Sequence, residues 1–317
     1  METYLGLDFG GTKLLIGEMD SEGNILNQKR YDTGALTQKQ AASRLVSCAE
    51  DYLKTRNFVG TPCYAGVGIM GIVDEENGIW KTLNHVEFSE LSLAQKLTQV
   101  LGIQTVLDND VKSATMAELV FGAGKISDNF IYVNIGTGLA AGIIANGRMV
   151  RGSNNNAGEV GHMVVDRKSK IPCICGRNGC VEGLVSGMGI DATARRMAEN
   201  IPTELKIPDN GKRVDAGEVF KLADKGDILC SQLAEEFFEE LKNFLMNLVR
   251  TLDPDMIVLG GGVVSDDWIV NHLQRELNCP TLSGLKYGIK KSELDPTQIG
   301  LIGAATHAMM RKRGITI

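Results

Sequence analysis

Three cysteines crowd the stretch IPCICGRNGCVE, Ile171 to Glu182, and His162 stands eleven residues before the first of them. One imidazole and three thiolates, His162, Cys173, Cys175 and Cys180, make a closed tetrahedral donor set of the kind that holds a structural zinc ion. Gly176 and Gly179 let the chain turn tightly enough to wrap the sulfurs around it. With all four positions filled, no open position is left for a catalytic metal. The competing chemistry is redox, a strained Cys-x-Cys pair resolved by Cys180. Zinc is favoured, because the loop has little else with which to build a core. Cys48, Cys63, Cys230 and Cys279 are isolated and read as core or surface thiols.

A second chemistry is written in glycines. LDFGGTK ends an apolar strand on Asp8 and follows it with Gly10, Gly11, Thr12 and Lys13. Adjacent glycines let backbone N–H groups approach a polyphosphate, Thr12 and Lys13 can donate to it, and Asp8 can hold Mg2+ through water. The spacing is neither a Walker loop nor a dinucleotide fingerprint, and a strand follows where those motifs have a helix. NIGTGL supplies a similar turn at Gly136, Thr137 and Gly138. VLGGGVV adds Gly260, Gly261 and Gly262 directly after a strand, where backbone can pass close under a nucleotide. Alone, each cluster reads as a plain turn; three in one chain point to a nucleotide.

LDND, Leu107 to Asp110, lies where a strand gives way to a helix, the edge at which open α/β sheets place ligands. A carboxylate there can take the proton from a hydroxyl that attacks a phosphoryl group. The plainer role is capping of the helix by Asp108 or Asn109. Lys112, two positions beyond Asp110, falls about 200 degrees round the helix and is expected to face elsewhere.

The elements that must position these groups alternate short apolar runs with amphipathic ones, an α/β pattern. YLGLDFGGTKLLIGEMDSEGNIL and FIYVNIGTGLAAGIIANGRMV each read as strand, Gly-rich turn, strand, turn, strand, which indicates an internal duplication. Helices are expected near 38–54 and 91–101, over VKSATMAELVFGA, over SQLAEEFFEELKNFLMNLVRTL, and over the closing IGLIGAATHAMMRKR.

Composition narrows the class. The 317 residues, 43% of them hydrophobic, suffice for two ordinary domains. With 33 basic against 39 acidic residues the net charge is -6, and nothing in it favours nucleic acid as a partner. No apolar run approaches the roughly 18 residues of a membrane span, and the N-terminus lacks a signal-peptide pattern, so a cytoplasmic protein without a membrane partner is expected.

The motifs DFGGTK, DND before an alanine-rich helix, GTG, NGRMVRGSNNNAGEVGHM, CICGRNGCVEGLVSG, DPDMIVLGGGV and the terminal GLIGAA resemble the ROK family (repressor, open reading frame, kinase) along nearly the whole chain. The resemblance implies an α/β, two-lobed actin-like ATPase (ribonuclease H-like) fold with duplicated βββαβα units and a cleft between lobes. Residues 1–118 would form a small lobe closed by a helix at about 300–317, and 119–299 a large lobe with the zinc loop. It further implies an ATP-dependent sugar kinase with Mg2+ and structural Zn2+, acting on a hexose, usually at O6, with glucose the first choice. N-acetylmannosamine, N-acetylglucosamine, fructose, allose and β-glucosides are the alternatives, together with a sugar sensor without turnover.

By resemblance Asp110 is the catalytic base. Asn109, Glu159, His162 and Glu182 bind the sugar, His162 also ligating zinc, and Gly71 and Asn84 belong to loops bordering the sugar pocket. Asp8 to Lys13 and Gly136 to Gly138 hold phosphates, and Gly260 to Gly262 lie near the adenosine. Two segments depart from the family pattern: IMGIVD lacks a proline before Gly71, and NHVEF, 84–88, replaces Asn-Leu-Pro-Gly-Trp, which changes bulk and hydrogen bonding where polar contacts set sugar discrimination. A ROK repressor would carry a helix-turn-helix domain before the first motif. With that motif's aspartate at residue 8, a kinase is expected, as a homodimer or homotetramer.

Overall fold

The computed structural model describes residues 1–11, 13–34, 36–55, 57–83, 89–264, 266–276, 280 and 282–315. Thr12, Asn84 with the rest of 84–88, and Cys279 lie outside the described residues. In chain order the first elements are β1 (Glu2–Phe9), β2 (Lys13–Met19), β3 (Ile25–Asp32), α1 (Gln38–Thr55), β4 (Thr61–Ile69), β5 (Ile72–Asp74), β6 (Ile79–Thr82), α2 (Leu93–Leu101), β7 (Gln104–Asn109) and α3 (Asp110–Phe121). They continue with β8 (Phe130–Ile135), β9 (Leu139–Ala145), β10 (Arg148–Met149), α4 (Glu182–Val185), α5 (Gly187–Ala198), α6 (Ala216–Asp224), α7 (Ile228–Leu252), β11 (Met256–Gly260), α8 (Trp268–Glu276), β12 (Gly288–Lys291) and α9 (Ile299–Lys312). The chain divides into two compact units, Met1–Asp128 with Ile144–Ala157 and Glu293–Ile317, and Asn129–Ile143 with Gly158–Ser292.

The duplication seen in the sequence is a duplication of topology. One five-stranded sheet has the order β3-β2-β1-β4-β7 and the other β10-β9-β8-β11-β12. In each, an antiparallel hairpin pair precedes strands that run parallel to the first. Both glycine turns, 10–13 and 136–138, occupy the same place, between the first and second strands of their sheet.

In the first unit the two-residue period of the strands decides what Asp8 can touch. Leu5, Leu7 and Phe9 of β1, with Ala65, Val67 and Ile69 of β4, turn to one face and pack with Leu45, Ala49 and Tyr52 of α1 and Leu93 and Leu97 of α2. The other face is lined by glycine. A Cβ at Gly6 or Gly66 would collide with the carbonyls of Leu301 and Ala304, so α9 lies directly on the sheet backbone. Its own Ala304, Ala305 and Ala308 are fully buried there. Asp8 falls on this glycine face, and a Cβ at Gly300 would stand 2.6 Å from its carboxyl carbon. The pattern Leu-Gly-Leu-Asp-Phe thus builds the core with its odd positions and delivers the carboxylate to the first turn of α9 with its even ones.

In the second unit the long α7 buries Leu229, Leu233, Phe237, Leu241, Phe244 and Leu248, spaced three or four apart as one helical face requires. Asp227 caps its start by accepting from the Cys230 N–H. Phe220 of α6 and Trp268 of α8 stack at 4.6 Å. Among the described residues no helix is long and apolar enough to cross a membrane.

Candidate functional site

The β7–α3 turn is fixed from three sides. Asn109 is the N-cap of α3, its Oδ1 accepting from Val111 N (2.9 Å) and Lys112 N (3.2 Å). Its Nδ2 donates to Gly71 O at 3.2 Å, which leaves one amide N–H for a ligand. Gly71 sits at φ +92, and a Cβ there would collide with Thr82 O. Gly71 and Asn109 are therefore brought together. Asp110 begins α3 and accepts from Val111 N at 3.0 Å, with its side chain half-buried.

Beneath this turn Asp108 is fully buried. Its Oδ2 accepts from Arg151 Nη1 at 2.7 Å, and its Oδ1 from Asn109 N at 2.8 Å and Asn155 Nδ2 at 3.2 Å. Asn155, held in the left-handed region at φ 54, also donates to Val73 O at 3.1 Å. Burial pushes the Asp108 carboxyl up, but the Arg151 charge foremost, then those of His307 and Lys112, outweigh it and hold it below the usual carboxylate range. Lys112, 3% exposed, is thus part of the turn's charge balance. Replacing Arg151 by Met would leave Asp108 a buried charge without its strongest partner, an expected cost of about 3 kcal/mol in chemical denaturation. If the turn shifts with it, turnover should fall about 10- to 100-fold.

At the first glycine turn, Gly10 N donates to Lys13 O at 2.9 Å. Burial raises the Asp8 carboxyl to about 6 against the opposing charge of Lys13. Below that pH the group is neutral and a poor partner for a hydrated cation.

The second unit gathers the remaining candidates around β8 and β9. The turn Gly136–Gly138 closes with Gly136 N donating to Gly138 O at 3.0 Å. Glu182, opening α4, accepts from Leu139 N at 3.0 Å, and a Cβ at Gly138 would meet its Oε2 at 2.6 Å. The Glu182 carboxylate thus braces the glycine turn. The Glu159–His162 turn is pressed onto β9, since a Cβ at Gly158 or Gly161 would collide with Ala141 O or Leu139 O. His162 N donates to Glu159 O at 3.3 Å. Gly261 sits at φ +92 over the end of β8, within reach of Asn134 and Ile135, while Gly262 faces open space.

His162, Cys173, Cys175 and Cys180 converge so that their ligand atoms all lie within 4.8 Å of one another. Cys173 Sγ is 3.3 Å from His162 Nδ1, and Cys175 Sγ is 3.6 Å from Cys180 Sγ. A tetrahedral ion with metal–sulfur bonds of about 2.3 Å needs sulfurs about 3.8 Å apart, so the set fits one. Gly176 and Gly179 take φ +84 and +73, and Gly179 has no room for a side chain beside Asp166 O. A hydrogen bond from Arg177 foremost lowers the Cys175 thiol to about 6. Burial foremost raises that of Cys180 to about 12. Metal capture would therefore displace protons from the set.

A family model described as the ROK family matches residues 4–310. The chain belongs to the ROK family. It is 30% identical over 268 residues to a glucokinase of Halalkalibacterium halodurans, covering 82% of this chain and 80% of that one. It is 27% identical over 303 residues to an N-acetyl-D-glucosamine kinase of Yersinia enterocolitica, covering 90% and 95%. The crystal structure of a ROK family glucokinase from Streptomyces griseus in complex with glucose and AMPPNP matches with a TM-score of 0.77 at 25% identity, covering 97% of this chain and 99% of that one. The two duplicated sheets are those of the actin-like two-lobed fold of ROK kinases.

Within the ROK frame, Arg151 and Asn155 stand in the NGRMVRGSNNNAGEVGHM stretch yet were not legible as partners of Asp108. Their signal lies in tertiary pairing. Gly300 opens the GLIGAA motif, but its contact with Asp8 is tertiary, and Arg213, whose guanidinium reaches Thr137, lies outside the motifs altogether.

Proposed function

We propose that this ROK protein is an ATP-dependent sugar kinase that transfers the γ-phosphate to a hexose hydroxyl, O6 foremost, with glucose the first substrate to try. The observation that carries this is the Asn109–Asp110 turn. It presents a half-buried carboxylate at a helix start, anchored by the Asn109 cap and the Asp108–Arg151 pair. A group so fixed can act as general base without the entropy cost of finding its geometry.

In this assignment Asp110 takes the proton of the attacking hydroxyl. Asn109, Glu159, His162 and Glu182 orient the sugar, with Gly71 and Asn84 in the bordering loops. Lys13 and the backbone N–H groups of both glycine turns offset the charge of the transferring phosphoryl group. Gly260 to Gly262 make room for the adenosine. Asp8 would hold Mg2+ through water, and that ion would supply charge neutralisation at the phosphates. Zn2+ would be held by His162, Cys173, Cys175 and Cys180, bracing the loop that leads into Glu182. Support comes from the donor set, from the two glycine turns in equivalent places, and from the kinases among the relatives.

N-acetylglucosamine is the leading alternative acceptor, because a kinase named for it is a relative over 90% of the chain. The test is ADP release with ATP and Mg2+ across glucose, N-acetylglucosamine, N-acetylmannosamine, fructose, allose and a β-glucoside. Sugar-dependent release with at least one is expected. No release with any would favour a sugar sensor without turnover.

A further inference from the structure

Arg213 lies outside every motif named above, in the irregular chain between α5 and α6, and its guanidinium stands on the second glycine turn. Its Nη1 donates to Thr137 Oγ1 at 2.8 Å. Both side chains are exposed. The hydrogen-bonding state of the turn shows what could join them. All three of its carbonyls are occupied: Gly136 O accepts from Gly187 N (2.9 Å), Thr137 O from Met188 N (3.1 Å) and Gly138 O from Gly136 N (3.0 Å). The Leu139 N–H is taken by Glu182. The N–H groups of Thr137 and Gly138 have no partner among the described residues. The turn therefore presents two unpartnered donors while each of its carbonyls already accepts a hydrogen bond within the protein, which is the chemistry of an anion cradle.

The position of Arg213 is set by a helix. Asp191 of α5 accepts from Val214 N at 2.8 Å. It also receives the Arg195 Nε at 3.0 Å. Arg195 in turn donates to Pro208 O (3.0 Å) and Lys212 O (2.9 Å). Val214 itself is buried. The residues on both sides of Arg213 are thus fastened to α5, and the first residues of that same helix hold the carbonyls of the glycine turn. α5 acts as a bracket, with the turn at one end and the base of the Arg213 side chain fixed by the other.

We propose that Arg213 is a polyphosphate-binding residue, which leaves Thr137 to grip the β- and γ-phosphoryl oxygens of the nucleotide together with the N–H groups of Thr137 and Gly138. This rests on the kinase assignment above and adds to it a charged donor in the second glycine turn, where the motif itself supplies only neutral ones. A planar guanidinium can meet two phosphate oxygens at once, and an ammonium cannot.

The test measures ADP and AMP binding by calorimetry, and KM for ATP, in the wild-type protein and in Arg213→Ala and Arg213→Lys. Arg213→Ala is expected to weaken ADP and raise KM for ATP by about tenfold or more, with Arg213→Lys between it and wild type. AMP affinity, KM for the sugar and thermal stability without nucleotide should stay within about twofold or a few degrees of wild type. ADP affinity unchanged in Arg213→Ala, in a protein whose wild type turns over ATP, overturns the inference alone. So does equal weakening of ADP and AMP, which would mark a loop-holding role. A wild type that neither binds ADP nor turns over ATP overturns it together with the kinase assignment.

Discussion

Asp110→Asn is expected to reduce kcat by about 100- to 10,000-fold while leaving sugar and ATP affinities within a few-fold of wild type, the signature of a lost general base. The substitution is close to isosteric, and an amide can still accept from Val111 N as the carboxylate does. The Asn109 cap and the Arg151–Asp108 pair, which hold the turn, are left in place. Thermal stability should accordingly change little, so a lost rate cannot be charged to lost fold. Activity surviving within about tenfold would remove Asp110 from the chemistry and leave it as the first residue of a helix.

Loss of the metal is expected to have the other large effect. Freshly purified protein should contain about one zinc per chain, and Cys173→Ser or prolonged chelation should empty the set. The loop from Val164 to Cys180 is closed on itself by the Val164–Cys180 and Pro172–Asn178 bridges, and at its base Arg177 Nη2 donates to His162 O at 2.7 Å and Val181 N to Met163 O at 2.9 Å. Without the ion, one thiol at about 6 and another at about 12 sit within hydrogen-bonding distance and no ligand holds them in register. Sugar KM should rise about tenfold or more, because His162 and Glu182 flank the loop, and added zinc should restore it. Elemental analysis finding no zinc, with Cys175 and Cys180 joined as a disulfide, would instead support redox chemistry.

Much of this was readable in the residues because it is local. The duplicated hairpins, the long helices and the Cys-x-Cys turn each carry their pattern within some twenty residues. α7 extends from Ile228 to Leu252, starting three residues before the expected Ser231 because Asp227 caps it. The choice between capping and chemistry at LDND could not be made from sequence, and the structure divides the labour: Asn109 caps with Oδ1, Asp108 anchors below, and Asp110 is placed at the helix start. What stayed hidden are pairings between distant positions. Arg151 meets Asp108 across 43 residues and Arg213 meets Thr137 across 76. No periodicity encodes such contacts, and an arginine in a polar stretch reads as a solvated surface charge. Gly300 was visible as the start of GLIGAA but its reason was not, since its need for a missing side chain arises only where α9 meets Asp8.

The most direct check of the whole account is 31P NMR of the wild-type protein with ATP, Mg2+ and the sugar that gives the fastest ADP release. A sugar phosphate monoester growing in step with ADP is expected, its resonance split by the two protons of a methylene carbon as transfer to O6 requires. ADP accompanied by inorganic phosphate alone, with no sugar ester, would contradict it.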